Sequence, residues 1–225
     1  INEMADGGYV ILGEHGVSGK GGDILFIQTD KEGYHQNQVT YGGTDNDGGR
    51  QIISTSDGGY AIIGYTYSYG GGGRDIWLIK TDENGKEEWN KTYGWVYNET
   101  GFSLIQTVDD GFLLVGSKWN WKLKKHNIWI VKVGPTGAKE WDRVIDEEYS
   151  GYGHKIIQSS DGLYTIAGVT KKLGNDWWDL WITKMDFSGN TIWEQIYTMS
   201  HIAINNWYYV DIAPTLDGGY ICVGP

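Results

Sequence analysis

Apolar residues along this chain fall into short runs that stop at glycine or aspartate, and the runs recur. YVILG, YAIIG, FLLVG, YTIAG and YICVG each end in glycine, and the first four are followed, after a loop, by DILFIQTD, DIWLIKTD, NIWIVKVG and DLWITKMD. Segments this short, rich in Ile, Val, Trp and Tyr and bounded by turn residues, predict strands. After the second run come a turn and a third segment, which carries Trp89, Trp141 or Trp193 in three copies. A further segment, QIISTS, SLIQTV, KIIQSS or DIAPTL, precedes the next apolar run, so each full unit predicts four strands.

The phrase DGGY sets the period. It stands at Asp6-Gly7-Gly8-Tyr9, Asp57-Gly58-Gly59-Tyr60, Asp109-Asp110-Gly111-Phe112, Asp161-Gly162-Leu163-Tyr164 and Asp217-Gly218-Gly219-Tyr220, at spacings of 51, 52, 52 and 56 residues. Four strands in about 50 residues, repeated in tandem through tight turns, predict an all-β protein, a β-propeller with one blade per repeat. A lone four-stranded sheet cannot bury both faces, whereas sheets packed face to face can. Within a blade, strand A is QIISTS, B is YAIIG, C is DIWLIKTD and D is EEWNKTYG. DGGY is then the A–B hairpin, its glycines supply positive φ, and its aromatic residue enters strand B as a packing residue. The expected organisation is a single propeller domain or fragment over residues 1–225. Blade 1 spans 1–42, blade 2 49–94, blade 3 101–146, blade 4 153–198 and a partial blade 5 208–225. First and last blades read as incomplete, as in an arc of a longer array or a ring completed elsewhere, with self-assembly through the terminal blades as one outcome.

The C–D turn resembles the tryptophan-docking repeat of pyrroloquinoline-quinone-type propellers, in which an Asp, a Gly and a Trp lock neighbouring blades. The resemblance runs through Asp82, Gly85 and Trp89 and through Asp186, Gly189 and Trp193. It is weaker at Gly134 and Gly137 before Trp141, and Asn37 occupies the tryptophan position in the first blade. The whole chain resembles the DGGY-type propeller repeats of archaeal and bacterial secreted or cell-surface proteins. That resemblance implies an extracellular or cell-surface location and no one activity.

Composition narrows the partners. With 35 glycines, 3 prolines, 12 tryptophans and a formal net charge of -11, the chain has the turn and strand content of an all-β protein and lacks the basic face that nucleic acid requires. One cysteine, Cys222, excludes an internal disulfide. No apolar run approaches the roughly 18 residues of a membrane-spanning helix.

Connections A–B and C–D are short and uniform, whereas B–C and D–A, on the opposite face, vary, which makes the latter the expected working face. Trp95, Tyr97, Trp119, Trp121, Tyr149, Trp177 and Trp207 lie in or beside these variable loops and form the candidate ligand set, suited to stacking on sugar rings. Packing of the loops on one another is the competing reading. The basic stretch from Lys118 to Lys125 reads as a solvated loop tip. Asp45-Asn46-Asp47-Gly48 and Asp82-Glu83-Asn84-Gly85 look like fragments of Ca²⁺ loops, but without the full alternation of ligands the signal for Ca²⁺ is weak and Asx turns are the favoured reading. The five histidines share no zinc spacing, so no metal or other cofactor is expected. Glu147-Glu148 with Asp47 form the one imaginable carboxylate pair, with no motif joining them. Asn90 and Asn98 head glycosylation sequons. The leading expectation is a non-catalytic interaction or assembly module that meets a protein or glycan at its variable face. A carbohydrate-binding propeller is the first alternative, and a polysaccharide hydrolase or lyase the second.

Overall fold

A computed structural model describes residues 1–16, 21–145, 148–159, 161–174, 177–198 and 209–224. Its described elements are antiparallel strands in blade-like sheets, and the fold is a β-propeller. The first sheet holds β1 (Asn2–Glu3), β2 (Tyr9–Gly16), β3 (Gly22–Thr29) and β4 (His35–Tyr41). The second holds β5 (Asp47–Ser54), β6 (Tyr60–Thr66), β7 (Asp75–Thr81) and β8 (Glu87–Tyr93). The third holds β9 (Glu99–Gln106), β10 (Phe112–Asn120), β11 (Lys125–Val133) and β12 (Lys139–Ile145). The fourth holds β13 (Tyr149–Gln158), β14 (Tyr164–Lys172), β15 (Asp179–Met185) and β16 (Thr191–Tyr197), and β17 (Asp211–Pro214) pairs with β18 (Tyr220–Val223). Each four-stranded sheet is a meander in chain order.

Burial follows position in the blade. Every residue of β7 is buried and β6 nearly so, whereas β8 is half-exposed and carries Glu87, Glu88 and Lys91. Strands covered on both faces need unbroken apolar runs, which is why B and C read as such in the sequence. Packing resolves into two compact units, Ile1–Gly101 with Gln106–Gly111 and Gly134–Ala138, and Phe102–Ile105 with Phe112–Val133 and Lys139–Pro225. In the first, Val10, Ile24, Phe26, Ile52, Tyr60, Ile62 and Trp77 form a core. In the second, Val115, Ile128, Ile130, Ile156, Tyr164, Ile166 and Trp181 form another.

The DGGY step is a turn with one construction throughout. Asp57 Oδ1 accepts from Gly59 N at 3.1 Å and from the Thr55 hydroxyl, while its other oxygen meets Lys80 Nζ at 2.9 Å. The second motif position sits at positive φ in every copy, +88° at Gly58 and +59° at Asp110, where the chain departs from glycine. Lys80, Lys132 and Lys184, 52 residues apart, occupy one position of strand C. Lys132 reaches Glu140, and Lys184 reaches Asp161 of its own blade's turn.

The tryptophans of strand D dock on the next repeat. Trp89 lies against Gly137 and Trp141 against Gly189, where an added Cβ would come within 2.8 and 2.7 Å of the indole. The lock thus joins consecutive repeats through a glycine 48 residues on, rather than closing the turn that precedes each tryptophan. Tyr93 reinforces it by donating to Gly137 O at 2.8 Å, and Tyr41 donates in the same way to Gly85 O. Asn37 substitutes polar contacts for the ring: its amide donates to Asn84 O at 2.7 Å.

Candidate functional site

The best-built site on the variable face lies in the second unit, at the open ends of β10, β11, β13 and β14. The segment SKWNWKLKKHN is a strand extension: β10 and β11 stay paired through Lys118↔Asn127, Trp119↔His126 and Asn120↔Lys125. Trp121 to Lys124 form the exposed turn at its tip, whereas Lys118 and Lys125 are drawn back into the sheet, against the expectation for them. Lys118 Nζ sits 4.5 Å from the centre of the Trp129 ring, and Lys125 is buried with its Nζ donating to Tyr149 O at 2.9 Å. Four lysines on one loop of an acidic chain read as solvated, but cross-strand pairing makes Lys125 the first residue of β11 and sets it against Tyr149 of the next blade's first strand.

That first strand, β13, alternates as YSGYGHK. Ser150, Tyr152 and His154 share one face, while Gly151 and Gly153 share the other. Gly153 is needed for close approach, since a Cβ there would meet Val115 Cγ2 at 2.5 Å. Pressed against the core on its glycine side, the strand presents Tyr152 to His126, ring centres 5.0 Å apart. His126 meets Trp119 edge-on at 4.9 Å, and Tyr152 meets Trp178 at 5.5 Å. Beneath this wall His154 stacks on Tyr209 at 5.4 Å and meets Phe102 edge-on at 5.2 Å. Burial holds the His154 imidazole at a pKa of about 4, so it is neutral at physiological pH.

The wall bounds a cleft of about 350 Å³, within the size range of small-ligand sites. Its lining includes Trp119, His126, Tyr152 and Trp178, the backbone of Leu173 and Gly174, and Lys124, Lys125, Lys171 and Lys172. Among the described lining residues there is no carboxylate; Glu148, exposed, stands two residues before the lining Ser150 in the chain. A larger hollow of about 810 Å³ in the first unit lies among the short uniform turns, beside Asp6, Asp30, Thr55 and Glu83.

Of the aromatic residues singled out in the sequence, Trp119 lines the cleft. Trp177 does not, its place being taken by Trp178, and Tyr149 contributes its carbonyl to Lys125 and Asn127 while Tyr152 enters. Trp121 is exposed on the four-residue turn beyond Asn120, with Lys122 5.8 Å from its ring. Trp95 and Tyr97 are exposed on a loop of the first unit. Trp207 and Glu147 lie outside the described residues.

Beside Trp95 the first unit holds a buried carboxylate pair that the sequence reading missed. Asp75 lies beside Glu99, accepts from Gly71 N at 2.6 Å through Oδ2, leaves Oδ1 buried without a hydrogen-bond partner, and has its pKa raised by burial. Glu99 accepts from Trp95 N at 3.2 Å. Asp23, Asp75, Asn127 and Asp179 open strand C at intervals of 52 residues, and Asp47 precedes Glu99 by the same interval. Asp47 likewise accepts from Gly43 N at 2.9 Å and from Ser68 Oγ at 2.7 Å. These acids tie variable loops to strand ends, and their repetition gives the signal that could have found them. Asp82, the other Ca²⁺-like fragment, closes an Asx turn by accepting from Asn84 N and Lys86 N, both at 2.9 Å. Among the described residues no group of three acids, histidines or cysteines could hold a metal ion. The amide of Asn90 is engaged, accepting from Trp77 Nε1 and donating to Glu87, and Asn98 is exposed with its Oδ1 on Arg74 N.

No protein-family model and no curated protein matches the chain. Among solved structures, an endo-arabinase from Bacteroides thetaiotaomicron is similar at 11% identity and a TM-score of 0.57, over 97% of this chain and 84% of that one. An endo-arabinanase from Bacillus licheniformis aligns at 12% identity and a TM-score of 0.41, over 100% of this chain and 91% of that one. The first likeness is one of fold, and it corrects the expectation of a non-catalytic interaction or assembly module. That expectation rested on the lack of a catalytic motif in the repeats, yet the fold is similar to that of an enzyme, so a plain scaffold carries no argument against catalysis.

Proposed function

We propose that this protein is a polysaccharide-cleaving enzyme that works on a glycan laid in the cleft between β11, β13 and β14. The observation that carries the reading is the cleft itself: Trp119 and Trp178 offer apolar ring faces to sugar C–H surfaces, with His126 and Tyr152 between them as groups able to move a proton. The fold likeness to an endo-arabinase supports it. Hydrolysis needs a carboxyl acid at the leaving oxygen, and the role is assigned to exposed Glu148, the described carboxylate two residues before the lining Ser150 in the chain. A second reading, cleavage by elimination, is favoured by the described lining residues, which pair His126 and Tyr152 with lysines and include no carboxylate. An export route fits either, since polysaccharides of this kind lie outside the cell, and no helix among the described residues is long and apolar enough to cross a membrane.

The test is release of new reducing ends from a panel of neutral and acidic polysaccharides, with ultraviolet absorbance followed in parallel. Elimination leaves a carbon–carbon double bond with every cut, and hydrolysis leaves none. Glu148→Gln is expected to lower hydrolysis by about 10²-fold or more, and His126→Gln to do the same to elimination. Glycan binding without any cleavage across the panel overturns the enzyme reading.

A further inference from the structure

We infer that the glycan taken by this cleft is anionic, bearing a carboxylate or sulfate on its sugar units; the inference rests on the site reading above and names its substrate class. The chain as a whole is acidic, with 29 Asp and Glu against 18 Lys and Arg, yet Lys124, Lys125, Lys171 and Lys172 converge on one hollow. They come from two places in the fold, the start of β11 and the end of β14, so their meeting is a product of tertiary structure and not of one basic run. Among the described residues Lys124, Lys171 and Lys172 are in no ion pair, and no acid lines the cleft to offset them. Lys171 also lies 6.0 Å from the centre of the Trp178 ring. Cations gathered in a concave, partly apolar site repel one another and raise the local potential, and an anion entering between them relieves that repulsion. A neutral glycan would meet the same ring faces but offer no counter-charge to Lys124, Lys171 and Lys172. The alternation of aromatic face and ammonium group is the pattern an acidic sugar requires: a C–H face for the ring and a cation for its charged substituent.

The experiment measures binding and cleavage side by side on polygalacturonate, which carries carboxylate alone, on κ-carrageenan, which carries sulfate alone, and on a neutral arabinan. Titration is done at about 50 mM and about 500 mM salt, since screening acts strongly over that range. The expected result is binding to one of the two anionic polymers, weakened about tenfold or more by high salt. Lys171→Gln with Lys172→Gln, half-exposed and exposed positions, should weaken it by about tenfold, or 1.4 kcal/mol, with the near-ultraviolet circular dichroism unchanged. Carboxylate and sulfate are told apart by which polymer binds. Cleavage of arabinan as strong as that of both anionic polymers overturns the inference and leaves the enzyme reading standing, whereas equal binding of all three without cleavage overturns both. Salt-sensitive binding of an anionic polymer without cleavage supports the inference and overturns the enzyme reading. Binding of none of the three overturns both, and salt dependence of the unaltered protein reports even if the double variant fails to fold.

Discussion

At the scale of single residues, the cleft is supported by a histidine that does no proton chemistry. His154 is 4% exposed, enclosed by Phe102, Tyr152 and Tyr209, and its Nδ1 has no hydrogen-bond partner. Those rings cannot solvate an imidazolium, which is why its pKa falls from 6.5 to about 4. The folded-state value lies below the unfolded one, so the unfolded chain takes up the proton first. The contribution to stability is complete above pH 6.5 and is lost as pH falls from 6.5 through 4, amounting to about 3 kcal/mol. Asp57, held down to about 2 chiefly by the Thr55 hydroxyl and by Lys80, acts in a separate window below 3.8. Urea midpoints should therefore drop between pH 7 and 4.5 in the unaltered protein, and that drop should shrink in His154→Phe. Equal drops in both would assign the acid sensitivity to other groups.

At the scale of the element, the C–D turn shows what a repeat does and does not disclose. Gly33, Gly85, Gly137 and Gly189 stand 52 residues apart with φ between +75° and +86°. An added Cβ at Gly33 meets nothing within 4 Å, whereas at Gly189 it meets Trp141 at 2.7 Å. Gly33→Ala should cost only left-handed strain, about 1 kcal/mol, and Gly189→Ala roughly 2 kcal/mol more from displacing the indole. Chemical denaturation of the two variants measures the difference, and equal costs would mean that the indole does not dock there. The period, the strands and the importance of tryptophan and glycine were legible because each repeats in the sequence. That these tryptophans lock neighbouring blades was implied by the docking resemblance, but which glycine receives each ring, Gly137 for Trp89 and Gly189 for Trp141, was not legible, because spacing within a repeat is silent about the next. The same physics explains the site. Trp177 and Trp178 are adjacent and of one kind, and both lie in the loop just before β15, so no alternation legible in the sequence decides which of them lines the cleft, as Trp178 does. His126 and Tyr152 were invisible as site residues since each is brought there by a cross-strand partner or a glycine-backed face, not by a motif.

At the scale of the whole molecule, the acidic chain and its basic hollow set two electrostatic environments for tryptophan, and small ions distinguish them. A net charge of -11 repels iodide and attracts caesium over most of the surface. Trp77, Trp129 and Trp181 are buried and reach neither ion, while Trp95, at 73% exposed, represents the general surface. Trp119 and Trp178 face Lys124, Lys171 and Lys172 across the cleft, where iodide is enriched and caesium excluded. Replacing both by phenylalanine should remove a larger share of iodide quenching than of caesium quenching, and the asymmetry should fade at about 500 mM inert salt as the Debye length contracts below the width of the site. Trp95→Phe is expected to show the opposite preference. Equal losses of the two kinds of quenching in the cleft variant would mean that the lysines do not govern the potential there, and the anionic glycan would lose its physical basis whatever the fold around it.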